Sequence, residues 1–157
     1  MRALGSWLRR RAENVAAAML AVMFAAFIVQ IVFRYFFSFP VGWAAELSVV
    51  MWLWLVLWGA AFVLGDDEEI RFDLFTAAAG RRVRAAMGIV TALALLALYG
   101  ASLPASYSYV SFMKVEKASY LGIRMDWLFS IYLVFLVAIL ARYLWILSRL
   151  LRGKAPD

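Results

Sequence analysis

The sequence contains four long apolar stretches that lack Asp, Glu, Lys, Arg and His. They cover residues 14–33, 47–65, 85–113 and 127–141, and the last extends to about residue 147 if the cation of Arg142 reaches the interface. A hydrocarbon core about 30 Å thick is crossed by roughly 20 helical residues. Since a chain that is 67% hydrophobic would aggregate in water, the pattern predicts four membrane-spanning helices.

The predicted fold class is all-α integral membrane, with a single membrane domain over residues 1–157. The predicted spans cover about residues 14–36, 42–64, 84–112 and 126–148. The first apolar stretch is longer than the core of a signal peptide, which is about 7–15 residues, and no small-residue cleavage site follows it. We therefore interpret it as a retained span.

The segment between the second and third spans begins with acidic residues 66–69 and continues with Ile70 and Leu74 at helical spacing. Negative charge is favourable at the N-terminus of a helix. The pattern predicts a short amphipathic helix over about residues 68–79 on the membrane surface. This helix either binds a partner protein or simply connects the two spans along the membrane surface, and the pattern favours neither role.

Basic residues are distributed unequally between the two ends of the predicted spans. Twelve of the sixteen lie near the termini or in the loop between spans two and three: Arg2, Arg9, Arg10, Arg11, Arg71, Arg81, Arg82, Arg84, Arg142, Arg149, Arg152 and Lys154. The other four are Arg34, Lys114, Lys117 and Arg124. Because Lys and Arg are in excess on the cytoplasmic side, both termini are predicted to be cytoplasmic.

The composition also argues against several classes of function. Without Cys or His, the chain has no disulfides, no bis-histidine haem and no histidine-based acid–base chemistry, and most zinc sites are excluded. The net charge of +6 comes from residues at the ends of the spans, which indicates contact with lipid headgroups rather than nucleic acid. We expect no enzymatic activity, no cofactor and no bound metal in this chain.

Two opposite charges flank the turn between the first and second spans. In the stretch RYFFSFPVGWAAEL, Arg34 ends the first apolar run and Glu46 follows Pro40 by about one and a half helical turns. Three roles are open for this pair: an ion pair that stabilises the hairpin, contact with a partner protein, or simple snorkelling to the interface.

None of the four spans carries an acidic or basic residue near the membrane midplane. Ion-coupled carriers place such residues in the membrane, often on broken helices in matched repeats. The sequence therefore indicates an accessory membrane subunit more than an autonomous carrier. The second span has Trp54 and Trp58 one turn apart, and Gly59 begins a Gly-Ala-Ala run that lets another helix approach closely.

The order and spacing of these elements resemble the small, four-helix membrane subunit of tripartite ATP-independent periplasmic (TRAP) transporters. The resemblance covers about residues 14–147. The matching residues of the hairpin and the following loop are Arg34, Tyr35, Phe37, Pro40, Trp43, Glu46, Gly59, Ala60, Ala61, Ile70, Arg71 and Asp73. The stretch over residues 117–123 is similar to the family's outer loop before the last helix.

The resemblance implies a non-catalytic scaffold in the bacterial inner membrane. It would brace a large membrane subunit, which carries the solute and sodium sites, and help dock a periplasmic solute-binding protein. Uptake of organic acids or similar solutes would be driven by an ion gradient. The structural or partner-contact candidates are Arg34, Tyr35, Pro40, Trp43, Glu46, Trp54, Trp58, Gly59, Arg71 and Asp73. The alternative is an autonomous multidrug-type exporter that acts as a homodimer and uses Glu46 as its carrier carboxylate.

Overall fold

The computed structural model describes residues 2–64 and 80–152 of the chain. The amphipathic helix predicted over residues 68–79 lies outside the described residues, as do the candidates Arg71 and Asp73.

Four long helices make up most of the described chain. Helix α1 covers Arg2–Phe36, and α2 covers Gly42–Trp58 and continues into a π-helical turn, Gly59–Val63. Helix α3 covers Arg81–Phe112 and ends in a 3₁₀ turn, Met113–Val115; α4 covers Met125–Leu151. All four are long and apolar enough to cross a membrane. The predicted all-α class with four spanning helices is confirmed.

Helix α1 begins well before its apolar stretch, at Arg2 instead of near residue 14. The additional turns are polar, and in them the Arg9 Nε atom lies 3.1 Å from the Glu13 Oε1 atom. Such pairs, four residues apart, stabilise exposed helices. Helix α1 is therefore longer than the segment needed to cross the hydrocarbon core.

The helices form an open row rather than a closed bundle. Helix α1 packs along α2, and α3 packs along α4, so each antiparallel hairpin is extensive. The two hairpins meet where α2 and its π-helical turn contact α4. Within the described residues, the order across the row is α1, α2, α4, α3.

Alanine and aliphatic side chains fill the contacts between helices, while many large apolar side chains face outward. Ala44, Ala92 and Ile131 are almost fully buried, whereas Phe24 and Leu98 are 63% and 60% exposed. Small residues let helix backbones approach closely in a membrane, where apolar side chains gain little from turning inward. The row therefore offers two broad apolar faces to lipid or to another protein.

The α1–α2 turn and the α3–α4 loop lie at the same end of the row, which we call the loop end. At this end the Phe33 carbonyl accepts hydrogen bonds from the N–H groups of Phe37 (3.2 Å) and Phe39 (3.1 Å). Ser38 has a φ of 51°, a left-handed conformation that commonly ends helices. Pro40 then leads into α2. The chain thus reverses within five residues, which holds α1 and α2 side by side.

Candidate functional site

Glu46 binds the α3–α4 loop, defined here as residues 116–124. Its Oε1 atom accepts a hydrogen bond from the N–H of Ser119 (2.8 Å). Its Oε2 atom accepts from the N–H groups of Tyr120 (2.9 Å) and Leu121 (2.7 Å). Three successive amides thus converge on one carboxylate, in the manner of a backbone anion nest. Hydrogen bonds to a charged acceptor are stronger than neutral ones, so Glu46 fixes the loop against α2.

The α3–α4 loop also has internal hydrogen bonds of its own. The backbones of Lys117 and Arg124 pair as an isolated antiparallel β-bridge. Between them, the Ala118 N–H donates to the Ile123 carbonyl at 2.8 Å. Gly122 has a φ of 65°, a left-handed conformation that favours glycine. Its N–H donates to the Ala118 carbonyl at 3.0 Å. The loop is therefore a compact turn with a defined shape.

The ring of Tyr120 lies directly over Gly42, the first residue of α2. A Cβ atom at position 42 would collide with the Tyr120 ring carbons. The ring can therefore keep this position only while residue 42 has no side chain. Despite this contact, Tyr120 is 69% exposed, so the loop holds an aromatic ring in place and presents its free side outward.

Arg34 and Glu46 do not form an ion pair in the described structure. The Glu46 carboxylate is directed at the loop amides, while Arg34 lines an open cleft beside the α1–α2 turn together with Gln30 and Ser38. The hairpin ion pair, one of the three roles considered, is therefore wrong. The Glu46 carboxylate instead accepts three hydrogen bonds from loop amides, which take the place of an ion pair with Arg34.

The two inner tryptophans bind neighbouring helices of the same chain. The Trp54 indole Nε1–H donates to the Leu128 carbonyl of α4 at 3.0 Å. The Trp58 Nε1–H donates to the Ala12 carbonyl of α1 at 3.1 Å. Trp54 and Trp58 thus hold α2 to both neighbours in the row. Trp43 and Tyr35 remain 44% and 75% exposed at the loop end, where a partner or lipid can reach them.

At the opposite end, which carries both termini, Arg142 contacts the π-helical turn. Its Nη2 atom donates to the Ala61 carbonyl at 2.6 Å. The turn begins at Gly59, whose carbonyl accepts from the Leu64 N–H at 2.9 Å. A π-helical turn breaks the regular hydrogen-bond pattern of a helix, and the guanidinium of Arg142 supplies a donor there. Arg142 therefore has a partner in the π-helical turn of the same chain, and α4 continues past it to Leu151.

Sequence reasoning missed three parts of this arrangement: the loop amides, Gly42 and Arg142. Backbone amides carry no sequence signal, and Gly42 reads as part of a Pro-Val-Gly turn. An arginine in an apolar run is a signal in principle, since such a charge needs a partner. Among residues 2–64 and 80–152, no group of acidic side chains could hold a metal ion.

The comparison with known protein families agrees with this architecture. A family model described as "Tripartite ATP-independent periplasmic transporters, DctQ component" matches residues 23–153, most of the chain. The chain belongs to the DctQ family. DctQ proteins are transporter components and not enzymes, and the tripartite system implies a large membrane subunit and a binding protein as partners. No curated individual protein matches the sequence significantly.

Proposed function

We propose that this DctQ-family chain is the scaffold subunit of a TRAP transporter and braces the large membrane subunit. The observation that carries the proposal is the open row of helices. Its four spans have only 6%, 11%, 6% and 17% of their most apolar windows buried within the chain. A second membrane protein can pack along the exposed faces without displacing any contact inside this chain.

The charges in the spans support a role without a transport site of its own. No Asp, Glu, Lys, Arg or His lies between Glu13 and Arg34, between Glu46 and Asp66, or between Arg84 and Lys114. Glu46, the carboxylate nearest to the membrane interior on α2, is occupied by three loop amides. We therefore infer that the solute and sodium sites belong to the large subunit. Uptake of an organic acid or similar solute would then be driven by an ion gradient.

The basic residues give the proposed orientation. The end of the row with both termini carries most of the Lys and Arg, so it faces the cytoplasm of a bacterial inner membrane. The loop end, with Glu46 and the α3–α4 loop, then faces the periplasm. There the binding protein would dock on the assembled transporter.

Gentle purification of the tagged chain from its native membrane tests the scaffold role, with mass spectrometry of the proteins that accompany it. We expect a large multi-span membrane protein in stoichiometric amount. Proteoliposomes that contain this chain alone should show no solute uptake, and those with both subunits should require the binding protein. A homodimer with transport activity of its own would contradict the proposal and favour the exporter alternative.

A further inference from the structure

We propose that the α3–α4 loop, in the shape imposed by Glu46, is a preformed docking surface for the periplasmic solute-binding protein. Tyr120 would be its aromatic anchor and Lys117 its flanking cation. The inference rests on the proposed function, because it assumes that the loop end faces the periplasm. It assigns the contact to particular residues and explains why the chain fixes this loop so firmly.

The α3–α4 loop is held in one shape, although it is a connecting segment. Surface loops are the most mobile parts of most folds. Here Glu46 binds three amides, and Gly122 adopts a left-handed turn. The Met125 N–H also donates to the Glu116 carbonyl at 3.0 Å, which closes the loop at its base. Ordering a loop before binding removes an entropic cost that binding would otherwise have to offset.

The fixed loop presents an aromatic ring to its surroundings. Tyr120 is held against Gly42 on one side of its ring and is 69% exposed. Ile123 in the same loop is 44% exposed, and Val115, in the 3₁₀ turn just before the loop, is 83% exposed. Rigid aromatic side chains with few rotatable bonds are common anchors in protein interfaces. Tyr120 and Ile123 lie in the connection between two apolar spans, where exposed rings and apolar side chains can contact a water-soluble protein.

The charges in and beside the loop differ in their surroundings. The cations of Lys114 and Arg124 both interact with the Asp126 carboxylate, whose Oδ2 atom lies 2.7 Å from the Arg124 Nη2 atom, whereas Lys117 is exposed. The exposed cation of Lys117 suits a partner whose docking face bears a carboxylate beside an apolar pocket. Charges at the rim of an interface act mainly on association rate and on its salt dependence.

The test uses this chain assembled with its large subunit in phosphatidylethanolamine–phosphatidylglycerol nanodiscs, with the binding protein titrated against them. We expect Tyr120→Ala to weaken binding about tenfold or more, as truncation of an interface anchor does. Tyr107→Ala is the matched control, because Tyr107 is 63% exposed on α3 and lies outside the loop. It should leave the affinity unchanged.

Two further variants separate the charge and the shape of the loop. Lys117→Glu should slow association, and the effect should shrink as salt is raised. Arg10→Glu, the same charge change at the opposite end of the row, should not. Glu46→Gln should weaken binding in the natural chain but add little in the Tyr120→Ala background, because Glu46 acts through the position of Tyr120.

The outcomes distinguish this inference from the proposed function. If the two-subunit complex assembles and both Tyr120→Ala and Lys117→Glu bind the binding protein normally, the docking inference is wrong and the scaffold role stands. If these variants instead lose the large subunit, the loop contacts that subunit and the inference is again wrong. If the natural chain fails to assemble with any large subunit, the scaffold proposal fails, and titration of the chain alone still decides whether the loop binds.

Discussion

At the scale of single residues, Glu46 joins α2 to the α3–α4 loop through three hydrogen bonds. Its carboxylate takes the place of water for three consecutive amides of the loop. Glu46→Gln keeps the size of the side chain but removes the negative charge and replaces one acceptor oxygen with a donor. We expect the N–H groups of Ser119, Tyr120 and Leu121 to exchange with deuterium faster, while α2 itself stays protected.

Glu13→Gln is the matched control for this prediction. Glu13 also accepts a hydrogen bond from another residue, Arg9, but as an exposed pair within one helix. Its replacement should leave exchange in the loop unchanged. Unaltered exchange at Ser119–Leu121 in the Glu46→Gln chain would show that the carboxylate does not hold the loop.

Gly42 gives a second prediction at the residue scale. Gly42→Ala places a methyl group against the far end of the Tyr120 ring. Because the ring is 69% exposed, it can move aside, so the cost should lie below the roughly 1–3 kcal/mol of overpacking a closed core. We expect a lower melting temperature in detergent and a displaced loop. Gly100→Ala is the control, because a Cβ at position 100 meets no other atom within 4 Å, and alanine favours a helix.

Combining the substitution with removal of the ring makes the Gly42 test specific. In the Gly42→Ala, Tyr120→Ala double variant the clash is absent, so the added cost of the alanine should largely disappear. If the stability lost in the double variant equals the sum of the losses in the two single variants, the contact between the ring and residue 42 does not cause the effect of Gly42→Ala.

At the scale of helices, the seam between α2 and α4 depends on a few polar contacts. Trp54→Phe removes the indole donor to the Leu128 carbonyl while keeping most of the aromatic surface. Hydrogen bonds between membrane helices contribute about 0.6 kcal/mol on average, with values near 1.7 at most. We expect a small fall in melting temperature and weaker association of the two hairpins when they are expressed as separate fragments.

The neighbouring Trp52 supplies the control for the seam. It is 57% exposed on the same helix, and its indole makes no hydrogen bond within the described residues. Trp52→Phe should therefore leave both measurements unchanged. Equal effects of the two substitutions would mean that aromatic bulk, and not the indole hydrogen bond, holds α2 to α4.

The helices themselves could be predicted from sequence, because an apolar run of sufficient length has one stable solution in a bilayer. The short connection through Pro40 also indicated that α1 and α2 are neighbours. The partner of Glu46 could not be predicted, since it consists of amides about 75 residues away along the chain. The sequence shows that a charged side chain at the end of a helix needs a partner. It does not show which backbone amides supply that partner.

At the scale of the whole molecule, the uneven distribution of basic residues predicts an orientation that cysteine labelling can test. The chain has no cysteine of its own, so single substitutions report without background. In intact cells with a permeable outer membrane, Ser119→Cys in the α3–α4 loop should react with a membrane-impermeant maleimide. Lys154→Cys near the C-terminus should react only after the inner membrane is opened.

The docking proposal depends on this orientation, because the α3–α4 loop can bind a periplasmic protein only if it lies on the periplasmic side of the membrane. Labelling of Lys154→Cys in intact cells would place both termini in the periplasm and remove the basis of the docking surface. Labelling of Ser119→Cys that falls when the binding protein is added would join both proposals at one residue, since Ser119 is exposed beside Tyr120. A matched Ser111→Cys, at the end of α3, should not be protected in the same way.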